Sequence, residues 1–157
     1  MATRIYWYFV GSTKLLAPRV AKSSKRILIA DNLEQMRKLI RAYLEEEREF
    51  RVCGEAIDGF EVIDKAQNLK PDLIILEVSM PRMSGLEAAQ KLKKLLPQTP
   101  IIVCTSYESM MRCFDAREIG VDAVLPKDRG ISLLKESVKA LLKRQMPERL
   151  QVRRRRH

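Results

Sequence analysis

Between residues 26 and 143 the apolar positions switch repeatedly between a period of two and a period near 3.6. Arg26-Ile-Leu-Ile-Ala-Asp31 is a short apolar run ending on an acid, which reads as a buried strand. Residues 33–47 place Met36, Leu39, Ile40, Tyr43 and Leu44 at helical spacing with charged side chains between them. Residues 50–56 alternate as a second strand. After Asp58 and Gly59, the positions Phe60, Val62, Ile63 and Ala66 outline a short helix. Residues 72–77 form the second apolar run that ends on an acid, Glu77. A helix over 86–96 follows, punctuated by Pro97 and Pro100. Residues 100–105 predict a fourth strand, 108–119 a fourth helix and 122–125 a fifth strand. The last helix, 130–143, carries Leu133, Leu134, Val138, Leu141 and Leu142 on one face. Five strands alternating with five helices in 118 residues predict an α/β doubly wound parallel sheet. Sites in such sheets lie beyond the carboxyl ends of the strands, near the topological switch point. The residues there are Asp31, Glu77, Thr105 and Lys127.

Composition narrows the function classes. A chain of 157 residues has room for one full core. Its longest apolar runs, such as residues 5–10, are too short to span a bilayer, and the start of the chain is a poor match to a signal peptide. Three cysteines, Cys53, Cys104 and Cys113, cannot all pair and lack zinc-ligand spacing. The single histidine is His157, which argues against a histidine-based triad and most histidine metal sites. The formal charge of +10 is concentrated at the ends: residues 1–25 and 144–157 contribute +5 each, and 26–143 sums to zero. The expected organisation is therefore a basic, aromatic extension over 1–25, a neutral domain over 26–143 and a basic tail over 144–157. Such arms suit phosphate backbones, an acidic membrane surface or an acidic protein, and basic ends without further purpose are equally common.

Two carboxylates at neighbouring strand ends, with the amide of Asn32 beside one of them, make an oxygen-rich nest of the kind magnesium prefers. A lysine and a hydroxyl across the same rim would complete a phosphoryl-transfer site, neutralising and fixing phosphoryl oxygens. The residues that carry this chemistry also carry a resemblance. The blocks are Ile-Leu-Ile-Ala-Asp31-Asn32, then Lys70-Pro-Asp-Leu-Ile-Ile-Leu-Glu77-Val-Ser-Met80-Pro81-Arg-Met83-Ser-Gly85. They continue with Pro100-Ile-Ile-Val-Cys-Thr105-Ser106 and Gly120-Val-Asp-Ala-Val-Leu-Pro-Lys127-Asp128. In order and spacing they resemble the response-regulator receiver domain of bacterial two-component signalling, over roughly residues 25–144.

The resemblance implies a flavodoxin-like fold of five parallel strands in the order 2-1-3-4-5. It also implies a Mg2+ site formed by Asp31, Asn32, the acid at 77 and the backbone carbonyl of Ser79. Thr105 falls on the switch hydroxyl and Lys127 on the family's lysine. The sequence departs from the pattern at three points. Asn32 has lost a charge, Val124 replaces the rotating aromatic of the fifth strand, and Glu77 stands where the phosphoaccepting aspartate belongs. One extra methylene moves the carboxylate by roughly 1.5 Å, and about 1 Å can cost on the order of a hundredfold where geometry controls rate. Three outcomes stay open: Glu77 imitates the phosphorylated state, the pocket has degenerated to a scaffold, or Glu77 accepts phosphate slowly with weakened Mg2+.

On this reading the domain is cytoplasmic, is not an enzyme, and acts by protein–protein contact. Its partners are a sensor kinase or downstream effector, or a second copy, met through residues 107–143. The 14 residues after 143 are expected to be too few for a DNA-binding output module. The rival class is a nucleic-acid-associated factor working through the basic arms. A nucleotide-binding enzyme is argued against by the first strand–helix turn, residues 30–36, which holds no glycine.

Overall fold

The computed structural model describes residues 24–106, 119–127 and 131–145. The helix predicted over 108–119 lies almost wholly outside the described residues, as do the two basic arms. The strands are β1 (Lys25–Ala30), β2 (Phe50–Ala56), β3 (Leu73–Leu76), β4 (Ile101–Thr105) and β5 (Ala123–Pro126). The helices are α1 (Glu34–Glu45), α2 (Gly59–Leu69), α3 (Gly85–Leu95) and α4 (Ile131–Arg144). All strand pairs are parallel, and the sheet runs β2-β1-β3-β4-β5, as the resemblance implied. The order reverses at β1, so β1 and β3 flank the switch point where a site is expected.

The period of two decides which side chains meet which helices. Ile27 and Ile29 of β1, Leu73 and Ile75 of β3, and Ile102 of β4 face α1 and α4, where Ile40, Leu44, Leu134 and Val138 close the layer. Their neighbours Leu28, Ala30, Ile74, Leu76 and Ile101 face the opposite way, onto Val62 and Ala66 of α2 and Ala88, Ala89 and Leu92 of α3. Burying each large aliphatic of β1 and β3 contributes about 2 kcal/mol. Burial on both faces explains why these strands are continuous apolar runs. β2 lies at the sheet edge and carries a bulge opposite Ile27 and Leu28 that leaves Cys53 out of register. Cys53 is accordingly half-buried, whereas Cys104 in β4 is buried.

Three positions given to a buried helix face are exposed. Leu39 is 52% exposed, Phe60 53% and Leu133 38%. Each helix is wider in apolar pattern than the stripe the sheet can cover, and these residues lie at its edge. The run Glu45, Glu46 and Glu47 reads as a solvated helix end, and Glu45 and Glu46 are exposed there while also finding partners. Glu45 accepts a hydrogen bond from the Val52 N–H at 3.0 Å, and Glu46 and Glu47 pair with Lys135 and Lys139 of α4.

Candidate functional site at the carboxyl ends of the strands

Asp31 follows β1, and its backbone N–H still donates to the Ala56 carbonyl at 3.1 Å. Its side chain is buried. Oδ1 accepts from the Leu33 N–H at 2.9 Å, which closes the turn into α1, and Oδ2 accepts from Lys127 Nζ at 2.6 Å. Glu77 follows β3 in the same way, its N–H donating to the Ala30 carbonyl at 2.8 Å. The residue is 6% exposed, and its carboxylate is fully engaged. Oε1 accepts from the Ser79 N–H at 3.0 Å and from the Thr105 hydroxyl at 2.9 Å, while Oε2 pairs directly with Lys127. Four residues from the ends of β1, β3, β4 and β5 thus converge on one pocket. The longer acid reaches both the hydroxyl and the lysine.

The loop after Glu77 is held on the other side. Met80 and Met83 are buried in the α2/α3 layer, and the Gly85 N–H donates to the Val78 carbonyl at 2.9 Å. Gly85 approaches so closely that a Cβ there would lie 1.9 Å from the Glu77 carbonyl oxygen. Only glycine allows α3 to start at this place. Ser84 and Glu87 form a capping box at that start.

The two other predicted ligands are not buried as Asp31 and Glu77 are. Asn32 is exposed. Ser79 is exposed too, and its engagement with the pocket is through its amide, which faces Glu77. Val124 lies half-buried in β5, with no aromatic to rotate. Asp31 and Glu77 face the single ammonium of Lys127. Burial works against the charge of Lys127, but the hydrogen bonds and charges of Asp31 and Glu77 outweigh it and raise its pKa above the ordinary lysine value. Next to Thr105, burial pushes the Cys104 thiol up to about 11, which keeps it protonated and inert at neutral pH.

Receiver domains generally hold magnesium at the phosphorylation site. The residues as placed here do not fit the ion. All four oxygens of Asp31 and Glu77 already have protein donors, and among the described residues no cluster of three or more histidine, cysteine or acidic side chains is arranged to hold a metal.

The sequence reading missed two supports. Arg37 donates from Nη1 to the Asp31 carbonyl at 2.8 Å and from Nε to Glu55 at 3.0 Å, bracing the β1–α1 turn. No sequence signal distinguishes it from the other charged positions of α1. Asp58 caps α2 and binds Arg82 of the loop after β3. The spelling Asp58-Gly-Phe-Glu61 was a legible helix start, since a capping acid followed three residues later by glutamate is a common signature.

A five-stranded parallel sheet ordered 2-1-3-4-5, with acids ending β1 and β3, a hydroxyl ending β4 and a lysine after β5, defines the receiver class. The chain belongs to the response regulator receiver domain family, whose profile matches residues 27–139. It is 34% identical over 114 residues to the response regulator protein VraR of Staphylococcus saprophyticus, covering 73% of this chain and 54% of that one. VraR of Staphylococcus aureus matches to the same extent. The chain thus spans about half the length of the curated relatives it matches. Among solved structures, the REC domain of AraT, a response regulator from Geobacillus stearothermophilus, superposes with a TM-score of 0.70 at 30% identity. That match covers 76% of this chain and 94% of that one. A CheY-like receiver domain protein from Methanospirillum hungatei gives 0.68 at 28% identity, over 78% and 97% of the two chains. Among the described residues no helix is long and apolar enough to cross a membrane.

Proposed function

We propose that this domain serves two-component signalling as an atypical receiver in which Glu77 holds the activated arrangement itself and ordinary phosphoryl transfer is lost. The observation that carries the reading is the engagement of Glu77 by three donors at once: the Thr105 hydroxyl, the Lys127 ammonium and the Ser79 amide. A phosphoryl group on a shorter acid would extend negative charge toward the same hydroxyl and ammonium. The extra methylene of Glu77 delivers a carboxylate there permanently. An attacking oxygen needs an open lone pair aligned with the phosphorus. Here Oε1 accepts two hydrogen bonds and Oε2 is held by Lys127, so neither is poised.

On this reading the domain is a cytoplasmic signalling module and not an enzyme. Its output is protein–protein contact through residues 107–143, toward a sensor kinase, a downstream effector or a second copy. The test is intact mass after incubation with magnesium and a small-molecule phosphodonor, with the natural protein beside Glu77→Asp. We expect only the aspartate variant to gain a phosphoryl group. Labelling of the natural protein at Glu77 overturns the reading, and labelling of neither chain favours a degenerate scaffold instead.

A further inference from the structure

We propose that the Lys127 ammonium is the resident cation of this pocket and takes the place of a divalent ion, so that the arrangement around Glu77 persists without magnesium. The proposal rests on the reading of Glu77 above and extends it from the anion to its counter-ion. Asp31 Oδ2 and Glu77 Oε2 converge on one nitrogen, the first at 2.6 Å and the second in direct ion pair. The remaining oxygens are taken by the Leu33 amide, the Ser79 amide and the Thr105 hydroxyl. Magnesium binds through open carboxylate oxygens and keeps several waters. To enter here it would have to strip Lys127 from both acids.

The geometry disfavours that exchange. The Lys127 side chain is 15% exposed, and Asp31 and Glu77 are 2% and 7% exposed at their side chains. A displaced ammonium would therefore leave two good partners, and the incoming ion would have to shed water to take its place. The loss of charge at Asn32 acts in the same direction. Two carboxylates and one ammonium leave the pocket a net charge of about −1, where a second acid at position 32 would have called for a further cation. The length of Glu77 completes the arrangement, because its carboxylate spans Thr105 and Lys127 together.

Calorimetric titration of the full chain with magnesium chloride tests this, with amide NMR shifts of Ser79, Thr105 and Lys127 read in magnesium and in chelator. The natural protein is expected to show no saturable binding up to about 10 mM and unchanged amide shifts. Lys127→Ala removes the resident cation and leaves two convergent carboxylates. It is expected to bind magnesium at least about tenfold more tightly than the natural protein and to melt at a higher temperature when the ion is present. Glu77→Asp, which withdraws the acid from Lys127, is expected to gain affinity in the same direction. Saturable binding by the natural protein below about 10 mM, or movement of its Ser79 and Thr105 amides on chelation, overturns the proposal. So does a folded Lys127→Ala that binds no more tightly. Phosphoryl labelling of Glu77 would sink the functional reading alone, whereas tight magnesium binding by an unlabelled natural protein would sink this proposal alone.

Discussion

Asp58 and Glu77 are both buried carboxylates bound by a basic side chain, and they are built in opposite ways. Asp58 takes two of its hydrogen bonds from backbone amides within three residues, Phe60 at 2.9 Å and Glu61 at 3.0 Å. Its cation, Arg82, is 63% exposed. Glu77 takes one local amide, but its hydroxyl comes from the end of β4 and its cation from the end of β5, where Lys127 is only 15% exposed. The first acid is a helix cap with a solvated companion. The second is the meeting point of three strands, and it has no local structure to stabilise beyond the turn to Ser79. Burial and charge pairing alone therefore do not mark a site. What marks it is donors assembled from distant parts of the chain.

Substitutions can pull the two acids apart. The largest effect is expected at Gly85, because a methyl group there collides with the backbone carbonyl of Glu77 and with nothing that can rotate away. Gly85→Ala should cost about 4 kcal/mol in denaturant unfolding and shift the amide signals of Ser79 and Thr105 while sparing those of Phe60 and Glu61. A loss under about 1 kcal/mol would mean that the loop after β3 does not position Glu77.

Asp58→Ala removes a cap and the partner of two helix N-terminal amides, and should cost about 2 kcal/mol. Arg82→Ala should cost under about 1 kcal/mol, since the arginine end of the pair is solvent-exposed and the two backbone amides still hold the Asp58 carboxylate. The sign with pH follows from Asp58, whose pKa is held below its ordinary 3.8 by the Glu61 amide first, against burial, and then by Arg82. A depressed acid contributes its full stability above the unfolded value and loses it as pH falls through the lower folded value. Asp58→Asn keeps the cap and removes the titration, so its acid unfolding curve should be flatter than that of the natural protein below about pH 4. An unchanged curve would show that Arg82 and the amides do not depress this group.

Thr105→Val is the smallest and sharpest change on the Glu77 side. It exchanges one hydroxyl for a methyl group of similar shape and should cost about 1 kcal/mol. Its value lies in the readout: the amide signals of Ser79 and Lys127, which both hold Glu77, should move with little loss of stability. If those signals stay fixed, Thr105 does not couple Glu77 to the rest of the domain.

The fold was legible because its signals are local. The two-sided burial of 27–30 and 73–76 shows as unbroken apolar runs, the helices show as charged stretches with an apolar stripe, and Pro97 and Pro100 mark a boundary that the structure keeps. The positions of Asp31, Glu77, Thr105 and Lys127 followed from the rule that strand ends carry the site. Misreadings occurred where a neighbour decides the matter. Leu39, Phe60 and Leu133 fit their helical stripes and are exposed because the sheet does not extend beneath them. Glu46 is exposed as expected, but its pairing with Lys135, and that of Glu47 with Lys139, joins a distant helix.

By itself the sequence determined the alternation of strands and helices, the parallel sheet and the four side chains that stand at its carboxyl edge. Hydrophobic period, proline and capping residues act over a few positions, so the chain spells them in order. Only the tertiary structure decided that Glu77 reaches Thr105 and Lys127 together, that Lys127 is shared with Asp31, and that Asn32 is exposed. Those contacts join residues from 28 to 96 positions apart along the chain. Sheet order, register and the length of one methylene set their distances to within fractions of an ångström, and the spacing of residues along a sequence carries none of that information.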